Sequence, residues 1–234
     1  MDPSSSLKSP VALVFDLDGL LLDTETIARD TFVEACHKVG WYRTDMDVYV
    51  QCIGRHGPEI GEILKKGYGS DFPWEEIGPL CQRLYHEFID HQAADIKPGA
   101  SELLTYVSEK RIPCGVATSS HKPTADSKLS LAKLNRFFSV VVTSDDVKQS
   151  KPHPEPYILA ADRLGVSTAQ CWAIEDSENG VRSAVSAGCT VFQVPDLVEP
   201  SPQLRRLGHM VVDSLHEVLA ELKRAKQYDQ GEKS

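Results

Sequence analysis

Short apolar runs punctuate the chain, and each ends abruptly at a polar residue or a proline. Val11–Phe15 is wholly apolar and stops at Asp16. Ile112–Ala117 stops at Thr118, Phe138–Val142 at Thr143, and Trp172–Ile174 at Glu175. Thr190–Val194 stops at Pro195, and a weaker run, Met210–Val212, at Asp213. Short runs of this kind, rich in β-branched side chains, predict strands buried on both faces, as in a parallel sheet. Between them, stretches 123–134, 155–164 and 179–187 carry helical spacing, the last closed by Gly188. Strands alternating with helices predict the α/β class, with a doubly wound parallel-sheet (Rossmann-like) core. In such sheets ligands gather at the carboxyl ends of the strands. The residue that stops each run therefore stands where a site is expected.

Residues 24–96 break this rhythm. Strand signal is weak there, while 27–39, 59–64 and 80–89 are amphipathic, with turn markers at Gly54, Gly57, Gly67 and Pro73. We read this stretch as a helical cap inserted after the first strand, with Pro98-Gly99 marking the return to the core. The expected organisation is a core from 11–23 and 97–222, a cap from 24–96, and flexible termini at 1–10 and 223–234.

The chain is 234 residues long, enough to bury a substantial core without disulfides or a structural metal. Its net charge of −9 argues against nucleic acid or an anionic membrane as partner, since both favour basic surfaces. The six cysteines form no C-x-x-C pair, and Cys114, Cys171 and Cys189 lie in or beside apolar runs. They read as packing in a reducing cytoplasm. No apolar stretch approaches the roughly 18 residues of a membrane span, and the polar N-terminus lacks a signal-peptide core. An acidic protein that acts on an anion must build a local positive site.

Four clusters supply candidates. Asp16 and Asp18 leave the first strand and enter a turn at Gly19, with Leu17 between them pointing away. Two carboxylates so placed fit a site better than a solvated turn. Glu175-Asp176 follows another strand. Taken alone, Asp176 reads best as a helix cap. Beside Asp16 and Asp18 it completes a set of acids that repels itself unless a hard cation sits within, and oxygen-only ligands select Mg2+. Thr118-Ser119-Ser120 offers hydroxyl and amide donors at a strand end, either for phosphate or as a cap. Lys151, followed by Pro152 and Pro154, is a lysine on a stiffened segment near a helix start.

The order and spacing of these clusters resemble the haloacid dehalogenase superfamily of phosphohydrolases along nearly the whole chain. The motif D-x-D-G-x-x-x-D-T matches Asp16 to Thr24, and Thr118, Lys151 and Glu175-Asp176 match the later motifs. The strings 150–154 and 175–180 resemble the subgroup of sugar-phosphate phosphatases and β-phosphoglucomutase, nearest the 2-deoxyglucose-6-phosphate and pseudouridine-5′-phosphate phosphatase types. This resemblance implies that Asp16 is a nucleophile and Asp18 an acid and base whose pKa is raised by neighbouring carboxylates and the substrate dianion. It implies that Thr118, the Ser119 amide and Lys151 hold phosphate. It also implies Mg2+ on Asp16, the Asp18 carbonyl and Asp176, with Glu175 direct or through water. The expected activity is hydrolysis of a small phosphomonoester by a monomer or weak homodimer.

In that subgroup a cap loop contacts the leaving group, and it matches 53–57, which makes Gly54 and Arg55 the specificity candidates. Its mutases carry a histidine where this chain has Ala28 and an arginine where it has Gly57. Both absences favour transfer to water. The alternatives are a β-phosphoglucomutase-like phosphotransferase, a non-catalytic protein of the same fold, and a phospho-receiver domain. The D-x-D pair and the cap speak against the last. His86 and His91 are five apart, on different helix faces, so they do not form a zinc-protease pair.

Overall fold

The structure, a computed structural model, describes residues 7–53 and 58–231. Six strands form one parallel sheet in the order β3-β2-β1-β4-β5-β6. They are β1 (Ala12–Phe15), β2 (Cys114–Ala117), β3 (Val140–Val142), β4 (Cys171–Glu175), β5 (Thr190–Gln193) and β6 (Met210–Val211). β1 lies at the centre, and every residue in it is buried, as its unbroken apolar run requires. Leu13 and Phe15 join the core on one face of the sheet, Ala12 and Val14 the core on the other, following the two-residue period of a strand. The first core is closed by α5 (Ala100–Glu109), α6 (Lys122–Leu131) and α10 (Leu215–Gly231). The second is closed by α7 (Glu155–Arg163) and α8 (Glu178–Ala187), with α9 (Pro202–Arg205) at its edge. The strand order reverses between β1 and β4, so a crevice opens at their carboxyl ends.

Between β1 and α5 the chain forms α1 (Thr24–Lys38), α2 (Met46–Tyr49), α3 (Pro58–Tyr68) and α4 (Trp74–Ile89). These helices surround a separate hydrophobic cluster that includes Phe32, Cys36, Leu64, Phe72 and Ile77. Asp23 caps α1 by accepting a hydrogen bond from the Thr26 amide at 3.4 Å, so the end of the aspartate motif also starts this helical unit.

At the C-terminus α10 continues past Lys223 to Gly231. Leu215, Val218, Leu219, Leu222 and Ala225 are buried at helical spacing, and this stripe carries the helix past the charged residues. At the other end, Leu7 packs against the core and Pro10 is buried. All six cysteines are free thiols. Among the described residues no helix is long and apolar enough to cross a membrane.

Candidate active site

Asp16 ends the run of β1, and its amide donates to the Ile174 carbonyl at 2.9 Å. The carboxylate is buried and receives a hydrogen bond from Lys151 Nζ. That ammonium also donates to Glu175 Oε1 at 2.5 Å, with the lysine side chain only 4% exposed. Glu175 is fully buried inside β4. Its Oε1 also accepts from Tyr157 Oη at 2.6 Å, and its Oε2 from Ser177 Oγ at 3.3 Å. The apolar run stops at Ile174, yet the strand continues through Glu175, because these partners compensate a buried carboxylate.

Asp176 is not the cap of α8. Ser177 is, accepting from the Gly180 amide at 3.1 Å. Asp176 is left facing the cavity, and its Oδ1 is buried with no hydrogen-bond partner. Its backbone carbonyl is fixed by Gln193 Nε2 at 3.0 Å, and Gln193 is braced in turn by His209 at 2.8 Å. Gly19 has φ +80°, and a Cβ there would fall 2.4 Å from Asp176 Oδ2. Glycine at this turn of the motif is therefore required twice, for its left-handed backbone and for the close approach of Asp176.

Charge at the site is unbalanced. Asp16, Glu175 and Asp176 each bring a carboxylate oxygen within 4.8 Å of the others, and Lys151 is the cation among them. Burial pushes Asp16 up, Lys151 pulls it down, and Glu175 and Asp18 push it up again, to about 7. Burial, then Asp16 and Glu175, hold Asp176 well above the usual carboxylate range. Lys151 goes the other way: burial opposes its charge, but Asp16 and Glu175 outweigh burial and keep it protonated. Two buried carboxylates and a half-buried one around one ammonium, with an orphaned oxygen, fit a hard divalent cation with oxygen ligands.

Asp18 has different surroundings. Its Oδ1 accepts from Lys128 Nζ at 2.5 Å, and its Oδ2 from Ser120 Oγ at 2.8 Å and Thr118 Oγ1 at 3.3 Å. Burial raises its pKa, but the charge and hydrogen bonds of Lys128 and the bond from Ser120 outweigh burial, so the net shift is downward. This reverses the expectation of a raised pKa, because the sequence reading had no lysine beside Asp18. Thr118 is buried and accepts from the Ser120 amide at 3.0 Å, while Ser119 is exposed at the cavity.

The fold thus brings Asp16, Asp18, Thr118, Ser119, Lys151 and Asp176 onto one cavity of about 730 Å³, with Glu175 directly behind Lys151. Val50, Ile53 and Ile63 of the helical unit line its far side, and Leu197 and Val198 the rim after β5. Gly54 and Arg55, expected to set specificity, lie outside the described residues, as do His56 and Gly57. Reading the sequence missed Lys128, Tyr157 and Gln193. Lys128 left a trace, for it occupies the stripe of Ala125 and Leu129 on α6 and Ala132 at its C-cap, where an apolar residue is expected.

Comparison with known proteins bears on the family and the fold. Residues 13–194 match the family model described as haloacid dehalogenase-like hydrolase. The protein YhcW of Bacillus subtilis (strain 168) is 35% identical over 188 residues, spanning 80% of this chain and 84% of that protein. A phosphorylated carbohydrates phosphatase of Thermotoga maritima is 30% identical over 217 residues, spanning 91% and 98%. The crystal structure of a HAD family hydrolase from Deinococcus radiodurans R1, with bound phosphate and sodium, superposes with a TM-score of 0.82. At 23% identity, with 94% of this chain and 98% of that one covered, it bears on the fold alone. By motif, fold and sequence, the chain belongs to the haloacid dehalogenase-like hydrolases.

Proposed function

We propose that the chain is a Mg2+-dependent phosphatase that hydrolyses a small phosphomonoester, a sugar phosphate or related metabolite, through a phosphorylated Asp16. The observation that carries this reading is the pairing of Asp16 with Lys151 beside Asp176, whose Oδ1 has no partner. Lys151 neutralises a carboxylate that would otherwise repel a phosphate dianion, and it is anchored by Glu175. Thr118 and the Ser119 amide hold phosphoryl oxygens. Asp16 attacks phosphorus as the leaving alcohol departs, which splits hydrolysis into two displacements. Asp18 gives a proton to the leaving oxygen and takes one from the attacking water. Mg2+ would be held by Asp16, the Asp18 carbonyl and Asp176, with Glu175 in support, and when bound it supplies charge neutralisation between nucleophile and phosphate.

The helical unit of α1–α4 is proposed as the cap, with Gly54 and Arg55 contacting the leaving group. Similarity to a phosphatase named for phosphorylated carbohydrates supports a sugar phosphate. Among the described residues lining the cavity, Lys151 is the one cation, which favours a substrate with one phosphate over the bisphosphate cycle of a mutase. The protein is proposed to act as a monomer or weak homodimer, since one chain supplies every site residue. Phosphate release from sugar and nucleotide monophosphates, with and without Mg2+, tests the reading. Metal-dependent release is expected. No release, but isomerisation of a sugar phosphate once a sugar bisphosphate is supplied, would favour the mutase, and neither release nor isomerisation would refute both.

A further inference from the structure

Lys128 has no part in the motifs above, yet it is among the most buried charges in the protein. Only 3% of its side chain is exposed, although it sits on the inward stripe of α6. An isolated ammonium there would cost several kcal/mol in lost hydration. Three groups compensate it. Nζ lies 2.5 Å from Asp18 Oδ1 and 3.2 Å from Ser120 Oγ, and it faces the Tyr85 ring of α4 at 5.5 Å from the centroid. Ser120 Oγ bonds the other oxygen of Asp18 at 2.8 Å. Lys128 and Ser120 thus grip both oxygens of one carboxylate and each other, which fixes the rotation of that carboxylate at the cavity wall. Such an ion pair adds little stability over an apolar replacement of similar volume, so stability alone does not account for a lysine in this stripe.

We propose that Lys128 is a positioning residue that holds Asp18 as the proton acceptor for the second displacement. This rests on the phosphatase reading above. In that step a water oxygen bonds to phosphorus, the bond from phosphorus to the Asp16 oxygen breaks, and its electron pair returns to the Asp16 carboxylate. The water proton passes to Asp18 and then to solvent. A carboxylate free to rotate loses the alignment this transfer needs. Tyr85 belongs to the inserted helical unit, and Ser127 Oγ bonds the Ile89 carbonyl at the end of α4 at 3.4 Å. The seat of Lys128 is therefore completed by that unit.

The test is pre-steady-state and steady-state turnover of 4-nitrophenyl phosphate with saturating Mg2+. Its first displacement needs little proton donation, so kcat/KM reports binding and attack, while kcat reports hydrolysis of phosphorylated Asp16. Lys128→Met is expected to lower kcat about a hundredfold, to leave kcat/KM within about threefold of wild type, and to show a nitrophenolate burst approaching one per enzyme. Lys128→Arg, which keeps the charge, is expected to restore most of kcat. Tyr85→Leu leaves both charges in place and is expected to show the same pattern with smaller amplitude, so the test survives if Lys128→Met does not fold. Equal losses of kcat and kcat/KM without a burst, or no loss, would overturn the proposal. A wild-type protein that releases neither nitrophenolate nor phosphate from any sugar or nucleotide monophosphate would instead refute the phosphatase reading, so the two failures are told apart.

Discussion

Gly180 stands in the first turn of α8, where replacement by alanine is ordinarily harmless or helpful. In a helix the exchange gains up to about 1 kcal/mol. Here a Cβ would fall 1.9 Å from Glu175 Cδ and 2.0 Å from each of its oxygens. Neither side yields easily. Glu175 is held by Lys151, Tyr157 and Ser177, and Gly180 itself donates to the cap Ser177. The carboxylate must leave its pocket or the start of α8 must shift. Breaking a buried ion pair costs roughly 3–5 kcal/mol, so after the helix gain a net loss of about 2–4 kcal/mol remains. At about 2–4 °C per kcal/mol for a chain of this size, Tm should fall by roughly 5–15 °C. Thermal melts followed by circular dichroism read this directly. Activity should fall as well, because Lys151 loses its anchor. A variant that melts at or above the wild-type temperature would refute the placement of Glu175 beneath α8.

Other expectations follow from the site and its surroundings. Binding of Mg2+ at a hundredfold its Kd should stabilise the protein by about 2.7 kcal/mol. Asp176→Asn should raise Tm in chelator, by relieving repulsion, and lose most of the Mg2+-induced rise. An unchanged rise in that variant would place the ion elsewhere. Asp146, 21% exposed, accepts from the Thr143 amide and hydroxyl and from Arg163. Burial raises its pKa, but these partners outweigh burial and lower it from 3.8 to about 2. A depressed carboxylate contributes its stability above its unfolded pKa and loses it as pH falls through the folded value. Asp146→Asn should therefore cost up to roughly 2 kcal/mol near neutral pH. It should also flatten the acid limb of stability between pH 3.8 and about 2. Equal acid limbs in urea titrations of the two proteins would contradict this.

Much of the fold was legible because a parallel sheet buries both faces and leaves unbroken apolar runs. Each strand fell inside its predicted run, except that β4 took in Cys171 and Glu175 on either side of it. The starts were less exact. β2 begins at Cys114 rather than Ile112 because Pro113 interrupts the run with no amide to donate, its carbonyl accepting from Leu13 instead. That Asp16, Asp18, Thr118 and Asp176 gather at one cavity was legible because the polar group that ends a strand must stand at the sheet edge. What was not legible came from other elements. Tyr157 looks like an ordinary aromatic of α7, and only the tertiary fold sets its hydroxyl on Glu175. Lys128 lies 110 positions from Asp18 along the chain, and its charge and hydrogen bond help turn the shift of that aspartate downward. The length of α10 is carried by a buried stripe that continues to Ala225 among charged residues, a weaker signal than an unbroken apolar run.

The role assigned to Asp16 is tested most directly by measuring phosphate release from Asp16→Asn beside wild type, on the best substrate of the panel, with Mg2+ present. Asparagine keeps the shape of the side chain and a polar contact near Lys151, so the variant should fold, while its weak nucleophile should reduce turnover by at least about a thousandfold. Turnover near the wild-type rate in a purified, folded variant would contradict the role of Asp16, and with it the covalent mechanism built on that residue.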